Sequence, residues 1–299
     1  MSFSADVKRE IADDLPDKPC CRAAQAYGML EFGHAFSGRE ISIQTELDAV
    51  ADLYATLTAE VCGVPLPTVG QIRRRTVLHT CSYDDAAVRA QVLDRFGHAA
   101  TDVSVRLNRA NIDCEQCARA LLRGAFLACG AVTDPNHDYH LEFGVPYYNL
   151  SRDLIALLGE VGVPAKAVTR NGSYVVYIKE SERIEDCLTY LGASRGALEM
   201  MSVKVIKSIR NETNRRLNCD SANIDKTVAA AGVHIDAVRR IEAACGIAAL
   251  PENLQQIARL RLENPDMSLR ELGAAMEPPL SRSGVNHRLQ RILEFAETL

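Results

Sequence analysis

The sequence predicts an α+β N-terminal domain made of two similar repeats, followed by an all-α C-terminal domain that ends in a helix-turn-helix. Three observations support this. Glycine- and alanine-rich helices at residues 21–36 and 114–129 are each followed by strand-like alternation. A shift of about 97 residues aligns these helices and the elements after them. After residue 196, segments show helical periodicity and none shows the alternation of a strand.

Composition indicates a cytoplasmic protein. The chain has 299 residues, of which 47% are hydrophobic and 24% charged, as is ordinary for globular domains. It contains no apolar run near the roughly 20 residues that span a bilayer, and its first residues are too charged for a signal peptide. We therefore expect no membrane partner, and we expect the ten cysteines to be reduced thiols.

Charge is divided unevenly along the chain. Residues 1–199 carry 20 basic and 27 acidic side chains, whereas residues 200–299 carry 14 and 12. An acidic bulk excludes indiscriminate coating of nucleic acid, so any DNA contact must come from local basic patches. The asymmetry places the expected partner-binding end at the C-terminus.

Residues 1–196 form the predicted scaffold domain. A short lead-in helix covers 4–15. The first repeat, at about 18–97, is predicted to contain a helix at 21–36, a strand at 40–45, a helix at 47–62, strand material at 71–83 and a helix at 84–97. The second, at about 114–193, is predicted to contain a helix at 114–129, a strand at 140–145, a helix at 151–161, a hairpin at 166–179 and a helix at 181–191. Each repeat thus reads helix-strand-helix-strand-strand-helix, and a connector at 101–112 includes strand-like 103–107.

The two glycine-rich helices are predicted to pack against each other. Arg123 is the only charged residue between positions 121 and 132, so this helix must be buried nearly all round. Glycine and alanine at this spacing allow another backbone to come very close. Because the earlier helix has the same character, each is the expected partner of the other.

A basic helical linker is predicted at residues 197–222. From 203 to 218 it has one acid, Glu212, and five basic residues: Lys204, Lys207, Arg210, Arg215 and Arg216. Two interpretations are about equally favoured, a solvated linker helix and a contact with the DNA backbone. Lys226, in the next helix, is assigned to the same set of DNA-backbone candidates.

The C-terminal domain, residues 223–299, is predicted to be entirely helical. Its helices are placed at 221–231, 235–245, 254–263, 268–276 and 281–298, with the helix-turn-helix at about 267–299. Ser268 and Glu271 have the spacing of a capping box. The prolines at 278 and 279 stop any helix, and Ser281 then caps the last one. Its predicted buried stripe is Val285, Leu289, Ile292 and Ala296.

The exposed side of the last helix carries groups that can reach base edges. Arginine pairs with guanine and asparagine with adenine, and the N-terminal part of a recognition helix enters the major groove. The alternative is a helical hairpin whose polar face is merely solvated. We favour double-stranded promoter DNA as the partner, and the predicted DNA-binding residues are Ser268, Arg270, Ser281, Arg282, Ser283, Asn286, His287, Arg288 and Arg291.

These motifs resemble the WhiA family of bacterial sporulation and cell-division transcription regulators. The resemblance covers essentially the whole chain and includes the paired Cys20-Cys21, the segments 122–127, 139–142, 214–216 and 223–226, and above all 268–273 and 281–289. It implies a C-terminal helix-turn-helix and an N-terminal domain similar to the LAGLIDADG homing endonucleases. It also implies target genes in cell division, chromosome segregation or sporulation.

The resemblance also implies that the catalytic acids are missing. In the LAGLIDADG fold each of the paired helices ends in an acid that binds a catalytic metal. Aligned on Gly28 and Gly124, that position falls on Gly33 in the first repeat and on Cys129 in the second. With the offset of about 97 kept, it falls on Phe32 in the first repeat, and neither alignment supplies a carboxylate. Glu31 lies earlier on the helix and Asp134 beyond its end. We therefore expect no catalytic residue, no metal, no cofactor and no enzyme activity, with a DNA endonuclease as the alternative and a division-associated interaction module acting without DNA as the third class.

Two further features leave alternatives open. The first is a set of four cysteines at the starts of the paired helices, Cys20, Cys21, Cys114 and Cys117, for which packed reduced thiols are favoured over a zinc site. The second is a set of basic residues on the strands, Arg73, Arg74, Arg75, Arg170 and Lys179. For the strand faces of this acidic half, a protein partner is favoured over DNA.

Overall fold

The structure of the protein, a computed structural model, describes residues 2–73, 76–102, 105–170 and 172–299. The chain divides into two compact units, Met1–Lys207 and Ser208–Leu299. The division lies inside the segment 197–222 that the sequence assigns to a linker. Within the described ranges, no helix is long and apolar enough to cross a bilayer.

The first unit contains two repeats of the same order of elements. After α1 (Phe3–Asp13), the first repeat comprises α2 (Pro19–Glu31), β1 (Ala35–Phe36), β2 (Ile41–Thr45), α3 (Asp48–Cys62), β3 (Thr68–Arg73), β4 (Thr76–Ser82) and α4 (Ala86–Arg95). A 3₁₀ turn at Arg109–Asn111 precedes the second repeat, which comprises α5 (Glu115–Cys129), β5 (Gly130–Val132), β6 (Leu141–Val145), α6 (Tyr148–Glu160), β7 (Lys166–Arg170), β8 (Ser173–Ile178) and α7 (Ser181–Leu191).

Each repeat forms a four-stranded antiparallel sheet, and the two sheets have equivalent strand orders, β1-β2-β4-β3 and β5-β6-β8-β7. The predicted α+β pseudo-twofold class is therefore confirmed. The short strands β1 and β5 were missed, and the helix expected at 21–36 is too long. It stops at Glu31 because the Gly33 N–H turns back to the Leu30 carbonyl oxygen, and Phe36 then pairs with Ile41 in the sheet.

The offset between the repeats is not constant. Gly28 and Gly124, the contact glycines of α2 and α5, are 96 residues apart, whereas β2 and β6 begin 100 residues apart at Ile41 and Leu141. The single shift of about 97 was therefore wrong in detail, because the turns after the helices differ in length. Cys117 corresponds to Cys21, whose sulfur is 3.9 Å away, and not to Cys20.

The predicted pairing of α2 with α5 is confirmed. A methyl group added at Gly28 would collide with the Leu121 carbonyl, and one added at Gly124 would collide with the Gln25 carbonyl. Only hydrogen at both positions allows the two backbones to come this close. The surrounding core is fully buried, with Tyr27 and Phe126 among its largest side chains.

Arg123, the one charge in the middle of α5, fastens this helix to α1. It is 4% exposed, and its guanidinium donates to Asp14 Oδ2 (3.0 Å) and to the carbonyl oxygens of Ile11 (2.9 Å) and Asp14. A buried cation is tolerated only when it is paired and hydrogen-bonded. This network satisfies that condition and fixes the end of the lead-in helix.

Two local expectations concern residues at the edges of the described ranges. In the predicted strand 103–107, residues 103 and 104 lie outside the description, and residues 105–107 form no strand. In the hairpin predicted at 166–179, Asn171 lies outside the description. Gly172 has φ +80°, which matches the left-handed conformation that a tight hairpin turn requires.

The second unit is all-α. It is built from the C-terminal part of α8 (Ser194–Ala244), then a 3₁₀ turn at Ile247–Ala249, α9 (Glu252–Glu263), α10 (Leu269–Ala274) and α11 (Arg282–Glu297). The separate helices expected at 221–231 and 235–245 are one continuous helix, since Gly232 alone does not end it and no proline is near. Its own core comprises Ala237, Val238, Ile241, Leu250, Leu254, Ile257, Ala258, Leu272, Met276, Val285, Leu289, Ile292 and Ala296.

Candidate nucleic-acid interface

The start of α10 is fixed by the capping box that the sequence predicts. The Ser268 hydroxyl accepts from the Glu271 backbone N–H (3.3 Å), and the Glu271 carboxylate accepts from the Ser268 N–H (2.8 Å). The hydrogen bond from the Ser268 backbone N–H, followed by one from the Ser268 side chain, lowers the pKa of Glu271 below its ordinary value. Because the backbone N–H groups of Ser268 and Glu271 are both hydrogen-bonded, the start of α10 is well defined.

The turn between α10 and α11 is tight. The Leu280 N–H donates to the Gly273 carbonyl oxygen (2.9 Å), and a side chain at Gly273 would collide with the Leu280 carbonyl. The proline pair at 278 and 279 lies between the two helices as predicted. Ser281 then caps α11 by accepting from the Gly284 N–H (3.2 Å).

α11 has two distinct sides. Val285, Leu289, Ile292 and Ala296 are buried, as the helical spacing predicts. Residues advance by about 100° around a helix, so Ser283, His287 and Arg291 lie opposite this stripe, and all three are exposed. Asn286 is exposed too, closer to the edge of the stripe. A helix anchored on one side by four apolar residues therefore presents polar side chains to solvent along the other.

A basic cleft adjoins the start of α11. It has a volume of about 410 Å³, and Lys226 of α8, Ser268 and Arg270 at the start of α10, and Arg282 of α11 line it. Three cations and a hydroxyl, separated in sequence by up to 56 residues, thus converge on one surface. Such a surface suits a phosphate backbone next to a groove that α11 would read.

Arg288 is placed differently from the other predicted residues. It is half-buried, and its guanidinium donates to the Asn253 carbonyl oxygen (3.1 Å) at the start of α9. The reason is rotational, because position 288 lies beside the buried stripe and not opposite it. In this geometry Arg288 holds α11 against α9, so a contact between Arg288 and DNA remains a prediction that would require this bond to break.

Arg261 of α9 is an important residue for which the sequence predicted no role. It is 2% exposed and donates to the carbonyl oxygens of Met267 (2.7 Å) and Pro265 (3.3 Å). Burial lowers its pKa, and burial followed by the charge of Arg261 lowers the pKa of neighbouring His234. Arg261 thus shapes the turn that leads into α10. The sequence signal that could have indicated this role is a basic residue at a helical position otherwise occupied by apolar residues.

The basic residues assigned to the linker fall into two groups. Lys204 pairs with Glu182 (2.6 Å) and Glu185 (3.5 Å), and Lys207 donates to the Pro135 carbonyl oxygen (2.6 Å). These bonds hold the start of α8 against neighbouring elements of the first unit. Any contact of Lys204 or Lys207 with phosphate would compete with them. The remaining candidates are exposed on α8: Arg210, Arg215, Arg216 and Lys226.

Of the basic strand residues, Arg170 and Lys179 are exposed at β7 and just after β8. The ammonium of Lys179 lies over the ring of Tyr177, 5.3 Å from its centre. Arg74 and Arg75 lie outside the described residues, as does the side chain of Arg73. Binding of protein or DNA by this strand surface remains a prediction.

The ends of the paired helices carry no pair of acids. A side chain at Gly33 would press on the Ser42 carbonyl oxygen, which lies 2.9 Å from the position of its first carbon. Cys129 ends α5, and burial raises the pKa of its thiol to about 12. The ammonium of Lys8 donates to the neighbouring Leu127 carbonyl oxygen (3.0 Å). A fixed cation is thus bound at this helix end, where a divalent ion would need carboxylates.

Glu31 is an acid and the last residue of α2, but its side chain is directed away from a possible metal site. It is 2% exposed, and its carboxylate lies 3.6 Å from His98 Nε2. The adjacent Tyr27 hydroxyl contacts His98 Nε2 (2.9 Å) and accepts from the Asn108 N–H (2.7 Å). Burial, followed by the charge of Asp153, raises the pKa of Glu31 well above its usual range. Glu31 therefore belongs to a buried cluster within the first repeat.

Glu31→Gln is expected to stabilise the protein above neutral pH. A carboxyl whose folded pKa is raised contributes stability below its unfolded pKa, about 4.3, and loses it as pH rises through the folded value. Removing the ionisable group should therefore add on the order of 1 kcal/mol at pH 8 and little at pH 4. Urea unfolding across this range, with exposed Glu199→Gln as the control, measures the difference. A wild type as stable as Glu31→Gln at pH 8 would contradict the assignment.

The two units together define a class of protein, a helix-turn-helix DNA-binding unit joined to a pseudo-twofold α+β scaffold of the LAGLIDADG type. The chain matches the family described as "WhiA C-terminal HTH domain" over residues 213–296, and "WhiA LAGLIDADG-like domain" over residues 118–210. The chain belongs to the WhiA family.

Relatives match along the full length. The "Probable cell division protein WhiA" of Clostridium perfringens is 35% identical over 312 residues, covering 100% of this chain and 98% of the relative. The protein of the same name from Clostridium botulinum is 33% identical, with 100% and 99% covered. The crystal structure of full-length WhiA from Thermotoga maritima, 22% identical, matches with a TM-score of 0.59 and covers 100% of this chain and 99% of that one. This likeness shows the shared fold.

Proposed function

We propose that this protein is a sequence-specific DNA-binding transcription regulator of cell division, chromosome segregation or sporulation genes. The observation that carries the proposal is the start of α11, where Arg282, Ser283, Asn286 and His287 are exposed on a helix that four apolar residues and a serine cap hold in place. These side chains offer the donors and acceptors that read base edges. Double-stranded promoter DNA is the proposed partner, and the cytoplasmic nucleoid the proposed location.

The basic cleft supports separate roles for α8, α10 and α11 in DNA binding. Lys226, Arg270 and Arg282 lie around it, and Arg282 also belongs to the first turn of α11. Contacts from α8 and α10 to phosphate would fix the register of the protein on the duplex, while α11 reads the sequence. The link to cell division rests on the relatives, which are named probable cell division proteins.

We propose that the endonuclease-like unit is catalytically inactive and acts as a scaffold or as a surface for protein partners. Cleavage by two metal ions needs carboxylates at the ends of α2 and α5. Gly33, two residues after the end of α2, and Cys129, the last residue of α5, occupy the positions of those acids. Glu31, the last residue of α2, is buried beside His98, and the Lys8 ammonium binds the end of α5. A thiol and an ammonium group therefore lie where a magnesium ion would need carboxylate ligands.

The test is selection of DNA by the full-length protein from a library of duplexes with a randomised core, followed by binding measurements on the enriched sequence. We expect one enriched motif and a specific complex. Binding without any sequence preference would overturn the proposal, and so would the absence of binding, which would favour an interaction module that acts without DNA. Supercoiled plasmid incubated with the protein and Mg²⁺ should stay intact, whereas nicking would restore the endonuclease alternative.

Lys226→Ala is expected to weaken binding to all duplexes alike. Lys226 lines the basic cleft from α8 and does not belong to the proposed recognition helix α11, so it should neutralise a phosphate and read no base. Losing one such contact should reduce the slope of log K against log salt by about one. Titrations at several salt concentrations, on the selected duplex and a scrambled one, measure this. A loss confined to the selected duplex would show that Lys226 takes part in reading the sequence.

A further inference from the structure

Four cysteines from the two repeats meet where the paired helices begin. Cys20 and Cys21 are the second and third residues of α2, Cys114 is the N-cap of α5, and Cys117 follows within its first turn. Cys21 and Cys117 are buried, and the other two are half-buried. Within the described parts of the chain, this is the only group of three or more cysteine, histidine or acidic side chains close enough together to hold a metal ion.

The spacing of the four sulfur atoms is that of a tetrahedron around one small ion. The Sγ–Sγ distances are 3.5 Å for Cys114–Cys117, 3.6 Å for Cys21–Cys114, 3.8 Å for Cys20–Cys114 and 3.9 Å for Cys21–Cys117. All four atoms lie within 4.8 Å of one another. A zinc ion with Zn–S bonds of about 2.3 Å places its four sulfurs roughly 3.8 Å apart along each edge. A disulfide would instead need about 2.05 Å.

The positions of the four cysteines on the helices suit thiolate ligands. Both pairs lie at helix N-termini, where the aligned peptide dipoles stabilise negative charge. A bound cation would offset the cost of burying the sulfurs of Cys21 and Cys117 as thiolates.

We propose that Cys20, Cys21, Cys114 and Cys117 bind one Zn²⁺ ion that joins the starts of α2 and α5. Four protein ligands close the coordination shell, so the ion is structural and has no open position for catalysis. It joins residues 93 to 97 positions apart in the chain. Glycine contacts hold the middle of the helix pair, and the zinc holds its N-terminal end. The proposal is independent of DNA binding.

The first experiment measures zinc in the full-length protein, purified without chelator from cells grown in zinc-containing medium. We expect one zinc per chain after dialysis against EDTA, and its release when a mercurial reagent titrates the thiols. Zinc well below one per chain, with all four thiols freely reactive, would overturn the proposal and leave four packed thiols. Stoichiometric iron with a visible chromophore would overturn it as well.

The second experiment replaces single ligands. Cys114→Ser and Cys21→Ser should each lower the zinc content to a small fraction of that in the wild type. Cys219→Ser, which removes an exposed thiol outside the cluster, should retain one zinc per chain. Full zinc retention in either ligand variant would contradict the proposed site.

A measurement on the wild-type chain avoids any doubt about folding of the variants. Protein produced with Co²⁺ in place of Zn²⁺ should show the strong visible d–d bands of a tetrahedral ion and sulfur-to-cobalt charge transfer in the near ultraviolet. Weak bands of an octahedral oxygen site would place the metal elsewhere on the protein and overturn the assignment.

Discussion

Replacing Arg282 and Asn286 together with alanine is expected to reduce affinity for the selected duplex by about 100-fold or more. Affinity for a scrambled duplex should fall by a much smaller factor, because only one cation is lost. Each good contact between such a side chain and a base edge contributes about 1–3 kcal/mol of discrimination. Both side chains are exposed in the first turns of α11, on the part of a recognition helix that enters the groove. The fold should be intact, because neither residue belongs to the buried stripe.

Arg259→Ala provides the matched control. It removes the same charge from the same unit, but Arg259 is exposed beside Glu252, Glu263 and Glu277 on a surface that α11 does not line. Binding isotherms of wild type and variants on selected and scrambled duplexes measure the effect. If the double variant keeps both affinity and preference, α11 is not the recognition helix. If Arg259→Ala loses as much, the effect reflects net charge alone.

Gly124→Ala is expected to destabilise the first unit by about 3 kcal/mol. The added methyl would collide with the Gln25 carbonyl oxygen and would lie 2.8 Å from the Met29 backbone nitrogen. These are backbone atoms of α2, so no side-chain rotation can relieve the clash and the two helices must separate. The cost should spread through the largest buried surface of the unit, since α2 and α5 lie at the centre of its core.

Gly159→Ala is the matched control for this substitution. A methyl group at Gly159, near the end of α6, meets nothing within 4 Å. It should stabilise the helix by about 0.5 kcal/mol, because alanine loses less backbone entropy than glycine. Urea unfolding of both variants gives the comparison. A Gly124→Ala protein within 1 kcal/mol of wild type would show that the helices can move apart at little cost.

The helix-turn-helix unit was the part of the fold most easily predicted from sequence. Its signals are local: a serine with a glutamate three residues later, two prolines in the turn, and apolar residues at steps of four, three and four. Each of these corresponds to the observed capping box, turn and buried stripe. The continuous α8 was not predicted, because Gly232 between two segments of helical periodicity resembles a break when no neighbouring element can be seen.

The sequence predicted the order of elements within the repeats but not the exact alignment of one repeat with the other. Helix and strand periodicity gave the elements, and the glycine-rich helices gave their pairing. The short strands β1 and β5 have two and three residues, too few to show alternation, and they form because β2 and β6 offer unpaired backbone groups. The offset of 96 residues in the helices follows from reciprocal tertiary contacts, in which Gly28 lies against the Leu121 carbonyl and Gly124 against the Gln25 carbonyl.

By itself, the sequence determined the two-part architecture, the family resemblance, the absence of acids at Gly33 and Cys129, and the polar residues that α11 presents. Those properties depend only on local periodicity and on residue identity. Only the tertiary structure decided that Arg288 is directed to Asn253, that Lys204 and Lys207 are bonded within the first unit, and that Lys226 joins Arg270 and Arg282 at one cleft. It also brought four cysteine sulfurs from the two repeats within 4.8 Å. These arrangements depend on distances between residues far apart in the chain, which packing fixes and local pattern does not.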